Sequence, residues 1–153
     1  LLSEIPGADL AKLRTFESCS WEIAPGEIPA SVDFAFIDGE HTTLAVIRDF
    51  ESVRRHMSKA SVIAFHDCFI VSTALLRILK TLESERTDHR SLHYPGSAVI
   101  AIVFGSEEIT GILLNSGWSP KIPITRLHSI KMWASRHVPS VRPLWRLIQK
   151  ILP

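Results

Sequence analysis

Hydrophobic and polar positions fall in short blocks along this chain. Val32–Ile37 (VDFAFI) is almost wholly apolar and stops sharply at Asp38-Gly39. A short apolar run with polar ends predicts a strand covered on both faces. From Thr42 to Met57 the spacing turns helical, with Leu44, Ile47, Phe50, Val53 and Met57 along one stripe and Thr42 or Thr43 placed to cap the start. Ser61–Phe65 (SVIAF) predicts a second buried strand, ending at His66-Asp67. A helix is expected over Val71–Ser84, with Ala74, Leu75, Ile78, Leu79 and Leu82 inward and Arg77 and Lys80 outward. Strand, helix, strand, helix implies an α/β fold with parallel pairing and right-handed crossovers. Ser91–Tyr94, a Pro95-Gly96 turn and Ala98–Phe104 predict an antiparallel hairpin at the end of the sheet. Leu13–Glu17 predicts one more short strand. Ile109–Asn115 reads as a short helix or strand, and Ser119–Thr125, with two prolines, as a loop. Leu127–His137 and Val141–Leu152 predict helices, Pro143 sitting in a first turn where proline is tolerated.

Composition narrows the class. A chain of 153 residues can bury a core, and 46 % apolar with 22 % charged residues is ordinary for a soluble globular protein. Cys19 and Cys68 have no paired spacing, which predicts reduced thiols in a cytoplasmic protein. No apolar run approaches the roughly 20 residues of a membrane span. The first residues lack the basic–apolar–small order of a signal peptide. The chain opens on Leu1 rather than Met, so further sequence upstream is expected.

Charge divides the chain. Seven basic side chains and no acidic one follow Glu108, so an acidic body, residues 1–108, precedes a basic helical extension, residues 109–153. Trp133 and Trp145 with Arg136, Arg142, Arg146 and Lys150 make that tail amphipathic. It reads first as solvated helices packed on the body. Contact with an anionic membrane surface, or with a phosphate-bearing substrate, stays open beside that. Nucleic acid is not the expected partner, because the body is not basic and no aromatics interleave with cations.

Two strand ends carry the candidate chemistry: Asp38-Gly39-Glu40-His41 and His66-Asp67. In open α/β sheets ligands bind at the carboxyl ends of strands. Parallel neighbours about 4.8 Å apart would put both clusters on one rim. Asp38, His66 and Asp67 could then converge on a hard cation such as Mg²⁺, which would lower the pKa of a substrate oxygen. His41 or His66 could act as general base, and Asp38 could do so without a metal. The plainer alternative is that an Asp after a strand is a cap or turn residue. Glu40 reads as a solvated loop acid and Cys68 as a packed thiol, since nothing near it in sequence would lower its pKa.

The string VDFAFIDGEHTTLAVIRDFESVRRHMSKASVIAFHD resembles a group of class I S-adenosylmethionine-dependent methyltransferases that includes sugar and antibiotic O-methyltransferases. The matched residues are Asp33, Phe36, Ile37, Asp38, Gly39, His41, Val46, Asp49, Ile63, His66 and Asp67. The resemblance implies a Rossmann-like sheet, mostly parallel, with a C-terminal antiparallel hairpin. It implies methylation of a small-molecule hydroxyl, S-adenosylmethionine as donor, and Mg²⁺ held by Asp38 and Asp67, with His66 replacing one acid. Ser18, Cys19 and Ser20, in FESCSWEI, resemble the end of the third family strand on the cofactor's adenosine side, and Asp38 and Gly39 border the cofactor. Ser58-Lys59-Ala60 stands where the group has a Gly-Gly turn, and no glycine-rich first loop precedes Leu13. The expectation is therefore a truncated domain lacking its N-terminal strands, binding the cofactor weakly or not at all. Its bare edge at Val32–Ile37 would invite a second copy, giving a homodimer. A non-catalytic methyltransferase-like fragment and a metal-dependent hydrolase using the same rim are the alternatives.

Overall fold

Strand β1 (Val32–Ile37), helix α1 (Thr43–Arg54), strand β2 (Met57–Phe65) and helix α2 (Ser72–Ser84) follow one another as the periodicity predicts. The hairpin strands β3 (His89–His93) and β4 (Ile100–Phe104) come next, then helix α3 (Glu107–Asn115). Among the described residues a 3₁₀ turn, Ser20–Glu22, precedes them. The computed structural model describes residues 13–24, 26–29 and 31–124. The expected helices over 127–137 and 141–152, and with them the amphipathic part of the basic tail, lie outside the described residues.

The sheet runs in the order β1-β2-β4-β3. β1 and β2 are parallel, while β4 is antiparallel to both β2 and β3, so among the described residues the sheet is mixed. Alternation along each strand assigns the faces. Ile37, Ile63, Phe65, Ile100 and Ile102 point to one side and are buried against Val46 and Phe50 of α1 and Leu75, Ile78 and Leu82 of α2. The opposite face of β1 is open: Phe34 is 60 % and Phe36 51 % exposed.

Four local expectations are corrected. Leu13–Glu17 is not a strand; it has no ladder partner among the described residues, and an extended segment without one forms no sheet. α1 stops at Arg54 rather than near Met57, because Val32 pairs with Met57 and draws that residue into β2. β2 therefore absorbs Ser58-Lys59-Ala60, and no turn stands there. Leu44 is 59 % exposed, while Ala45, Val46 and Phe50 are buried. Thr42 Oγ1 accepts the Ala45 N–H at 3.2 Å and caps α1, and the helix docks through Ala45, Val46 and Phe50, which leaves Leu44 outward.

Gly105 ties the hairpin to β2. It has φ +55, and a Cβ built there would lie 2.4 Å from the Lys59 carbonyl oxygen. Only glycine allows the end of β4 to pass that close to the backbone of β2. Among the described residues no helix is long and apolar enough to cross a membrane.

Candidate functional site

The parallel register of β1 and β2 builds the rim. Ile37 is opposite Phe65, so the next residues, Asp38 and His66, leave the sheet side by side. The His66 N–H donates to the Ile37 carbonyl at 3.0 Å and fixes that exit. Asp67 has φ +49, a left-handed conformation that Asp and Asn tolerate better than most residues. Its carbonyl accepts the N–H groups of Ile70 at 2.8 Å and Val71 at 3.1 Å, which turns the chain into α2. The Cys68 N–H donates to the Ala98 carbonyl at 2.9 Å, pinning this loop to the β3–β4 hairpin.

Four ionisable side chains meet there. His66 Nδ1 is 3.2 Å from Asp38 Oδ1 and 3.4 Å from Asp67 Oδ2. His41 Nε2 is 2.9 Å from the same Asp67 oxygen. The His41 and His66 side chains are partly exposed, at 39 % and 41 %. Yet His41 Nε2 and His66 Nδ1 are themselves hidden from solvent, and neither makes a hydrogen bond. Both approach a carboxylate closely without a hydrogen-bonding alignment. Ile37, Val46, Phe65 and Val71 line the cleft beneath them. The Phe36 ring lies 6.2 Å from the His66 ring on the open side.

The donor atoms of Asp38, His66 and Asp67 all lie within 4.8 Å of one another. Two donors on opposite sides of an ion, each about 2.1 Å from it, are about 4.2 Å apart. The spread thus fits one divalent cation after a shift of a few tenths of an ångström. The unpartnered His66 Nδ1 fits it too, since a nitrogen held between two carboxylate oxygens would otherwise be expected to donate to one of them.

Ser18, Cys19 and Ser20 form a separate segment. The Ser20 hydroxyl donates to Asp49 Oδ1 on α1, and the Ser52 hydroxyl donates to the Ser20 carbonyl at 2.9 Å. The Cys19 N–H donates to Glu22 Oε2 at 3.2 Å, and the Arg48 guanidinium lies over the Trp21 ring. This segment is docked on α1 rather than joined to the His–Asp cluster. The other Asp49 oxygen, Oδ2, lies near Gly39, 3.2 Å from where a Cβ would be, so a side chain at that position would crowd it. That Asp49 holds the Ser20 turn is not visible in helical periodicity, which leaves it on a polar face. Cys68 is fully buried, and burial pushes its thiol up to about 11, so it is a packed residue and not a nucleophile.

Residues 8–68 match the model of a family described as a methyltransferase domain. This stretch is similar to a methyltransferase domain. The match takes in β1, α1 and β2 and runs through His66 and Asp67, so the whole rim lies inside it. No curated protein matches the chain.

Proposed function

We propose that this methyltransferase domain transfers a methyl group from S-adenosylmethionine to the hydroxyl oxygen of a small molecule held at the Asp38–His66–Asp67 rim. The observation that carries the reading is the convergence of three donor groups and a nearby imidazole at the carboxyl ends of two parallel strands. S-adenosylmethionine is the donor that a methyltransferase domain implies.

The chemistry needs an oxygen nucleophile at neutral pH and a place for its proton. His41 accepts that proton on Nδ1, the ring nitrogen that does not face Asp67, and Asp67 Oδ2, 2.9 Å from Nε2, stabilises the imidazolium formed. S-adenosylmethionine, when bound, would supply the sulfonium methyl, the C–O bond forming as the C–S bond breaks with the electron pair left on sulfur. A divalent cation held by Asp38, His66 and Asp67 would hold the acceptor oxygen and lower its pKa. Asp49 holds the Ser20 turn, the segment expected beside the adenosine, against α1.

The test is transfer of tritiated methyl from S-adenosylmethionine to a panel of sugars, nucleotide sugars and catechols. Label in a base-stable ether is the expected product. Label recovered in no acceptor, or only in a base-labile ester, would overturn the reading. His41→Ala should lower kcat by about 10²–10⁴-fold, the usual contribution of a positioned general base.

A further inference from the structure

The oxygen-rich Mg²⁺ site implied by the sequence resemblance does not match the donor set at the rim. Asp38 and Asp67 offer carboxylate oxygens, but the third donor is an imidazole nitrogen, His66 Nδ1. Mg²⁺ requires near-ideal octahedral oxygen coordination and keeps much of its water, whereas imidazole suits first-row transition ions. Three details favour nitrogen as a true ligand. His66 Nδ1 is removed from solvent with no hydrogen bond of its own. It lies between Asp38 Oδ1 and Asp67 Oδ2, at 3.2 Å and 3.4 Å, spacings typical of neighbouring ligands on one ion. The His66 backbone N–H is held by the Ile37 carbonyl, and Asp67 by its left-handed turn, so neither residue leaves the rim without breaking backbone structure.

We infer that the rim binds a nitrogen-accepting transition ion, of the class of Mn²⁺, Fe²⁺, Co²⁺ and Zn²⁺, in preference to Mg²⁺, with His66 Nδ1 as the selecting ligand. His41 stays outside the ligand set and acts on the acceptor's proton. The partial exposure of His66 and Asp38 leaves coordination positions open to water or an acceptor oxygen. The inference shares its three donors with the acceptor-rim reading and otherwise stands apart from it.

The experiment uses the untagged, chelator-treated chain and the metals alone. Free Mn²⁺ gives a six-line electron paramagnetic resonance signal that fades on binding. One Mn²⁺ per chain should bind, a hundredfold excess of Mg²⁺ should leave it in place, and Zn²⁺ should displace it. His66→Gln, close in size, should weaken Mn²⁺ binding at least tenfold, and His66→Asp should let Mg²⁺ compete at comparable concentration. Circular dichroism shows that each variant is folded. Release of Mn²⁺ by equimolar Mg²⁺, no stoichiometric Mn²⁺ binding, or binding unchanged by His66→Gln overturns the inference. Methyl transfer without ion binding would sink it and spare the transferase reading; ion binding without methyl transfer would do the reverse.

Discussion

Asp67 meets two demands at one position. Its backbone is left-handed, and its carboxylate faces two imidazoles. Asp67→Asn satisfies the first demand and removes the charge. It should change unfolding free energy by less than about 1 kcal/mol while abolishing activity and weakening metal binding. Asp67→Val places a β-branched residue at φ +49 and should cost about 1–2 kcal/mol more than Asp67→Asn in urea denaturation. Equal stability of the two variants would show that the backbone relaxes instead. At this scale the sequence was informative because apolar runs end abruptly at Asp38 and at His66-Asp67, and parallel strands bring such ends together. What stayed hidden was orientation. Nothing in the periodicity says that His41 reaches Asp67 rather than solvent, or that Asp49 accepts the Ser20 hydroxyl. Those contacts depend on the docking of α1, a tertiary fact.

The elements show where pattern reading succeeds and where pairing overrides it. β1 and α2 appear within a residue of their expected bounds, because their apolar positions match the strand and helix periods closely. β2 begins at Met57, earlier than its apolar run, because Met57 pairs with Val32; Ser58, Lys59 and Ala60 lie in the register shift between that pair and the pairing of Phe34 with Val62. Leu13–Glu17 fails for the complementary reason: strand-like residues without a partner do not form a ladder. Within β1 the two faces differ sharply. Ile37 is 8 % exposed and packs in the core, whereas Phe34 is 60 % exposed. Ile37→Ala should cost about 2–4 kcal/mol, and Phe34→Ala less than about 1 kcal/mol, by urea denaturation. A large loss for Phe34→Ala would mean that something covers this face in solution.

For the whole molecule, the buried Cys68 thiol links stability to alkaline pH. Its pKa is raised from 9.0 to about 11, chiefly by burial, so the folded state holds the proton more tightly than the unfolded chain. Its contribution is fully present below about pH 9 and is lost as pH rises toward 11. The fall is at most about 1.4 kcal/mol per pH unit for one proton. Comparing unfolding free energies of the parent chain and Cys68→Ala from pH 8 to 11 isolates this part. The variant, though less stable at every pH, should show the shallower decline, and parallel curves would exclude the linkage. The core around Cys68 draws on β1, β2, α2, β4 and Ile124, so a change there is felt across the described fold.

The rim also has a consequence for how the protein assembles. Its four ionisable side chains lie in one unbroken stretch from Asp38 to Asp67, which holds α1 and β2 and begins where β1 ends. Closing a loop of that length costs little more entropy than closing a shorter one. The cluster can therefore take shape as soon as β1, α1 and β2 associate. β4 must find β2 across a longer span of chain, with Ile63 pairing to Ile102. The rim thus depends on the pairing of β1 with β2, and its brace, the Cys68 N–H on the Ala98 carbonyl, on the separate docking of β4 against β2.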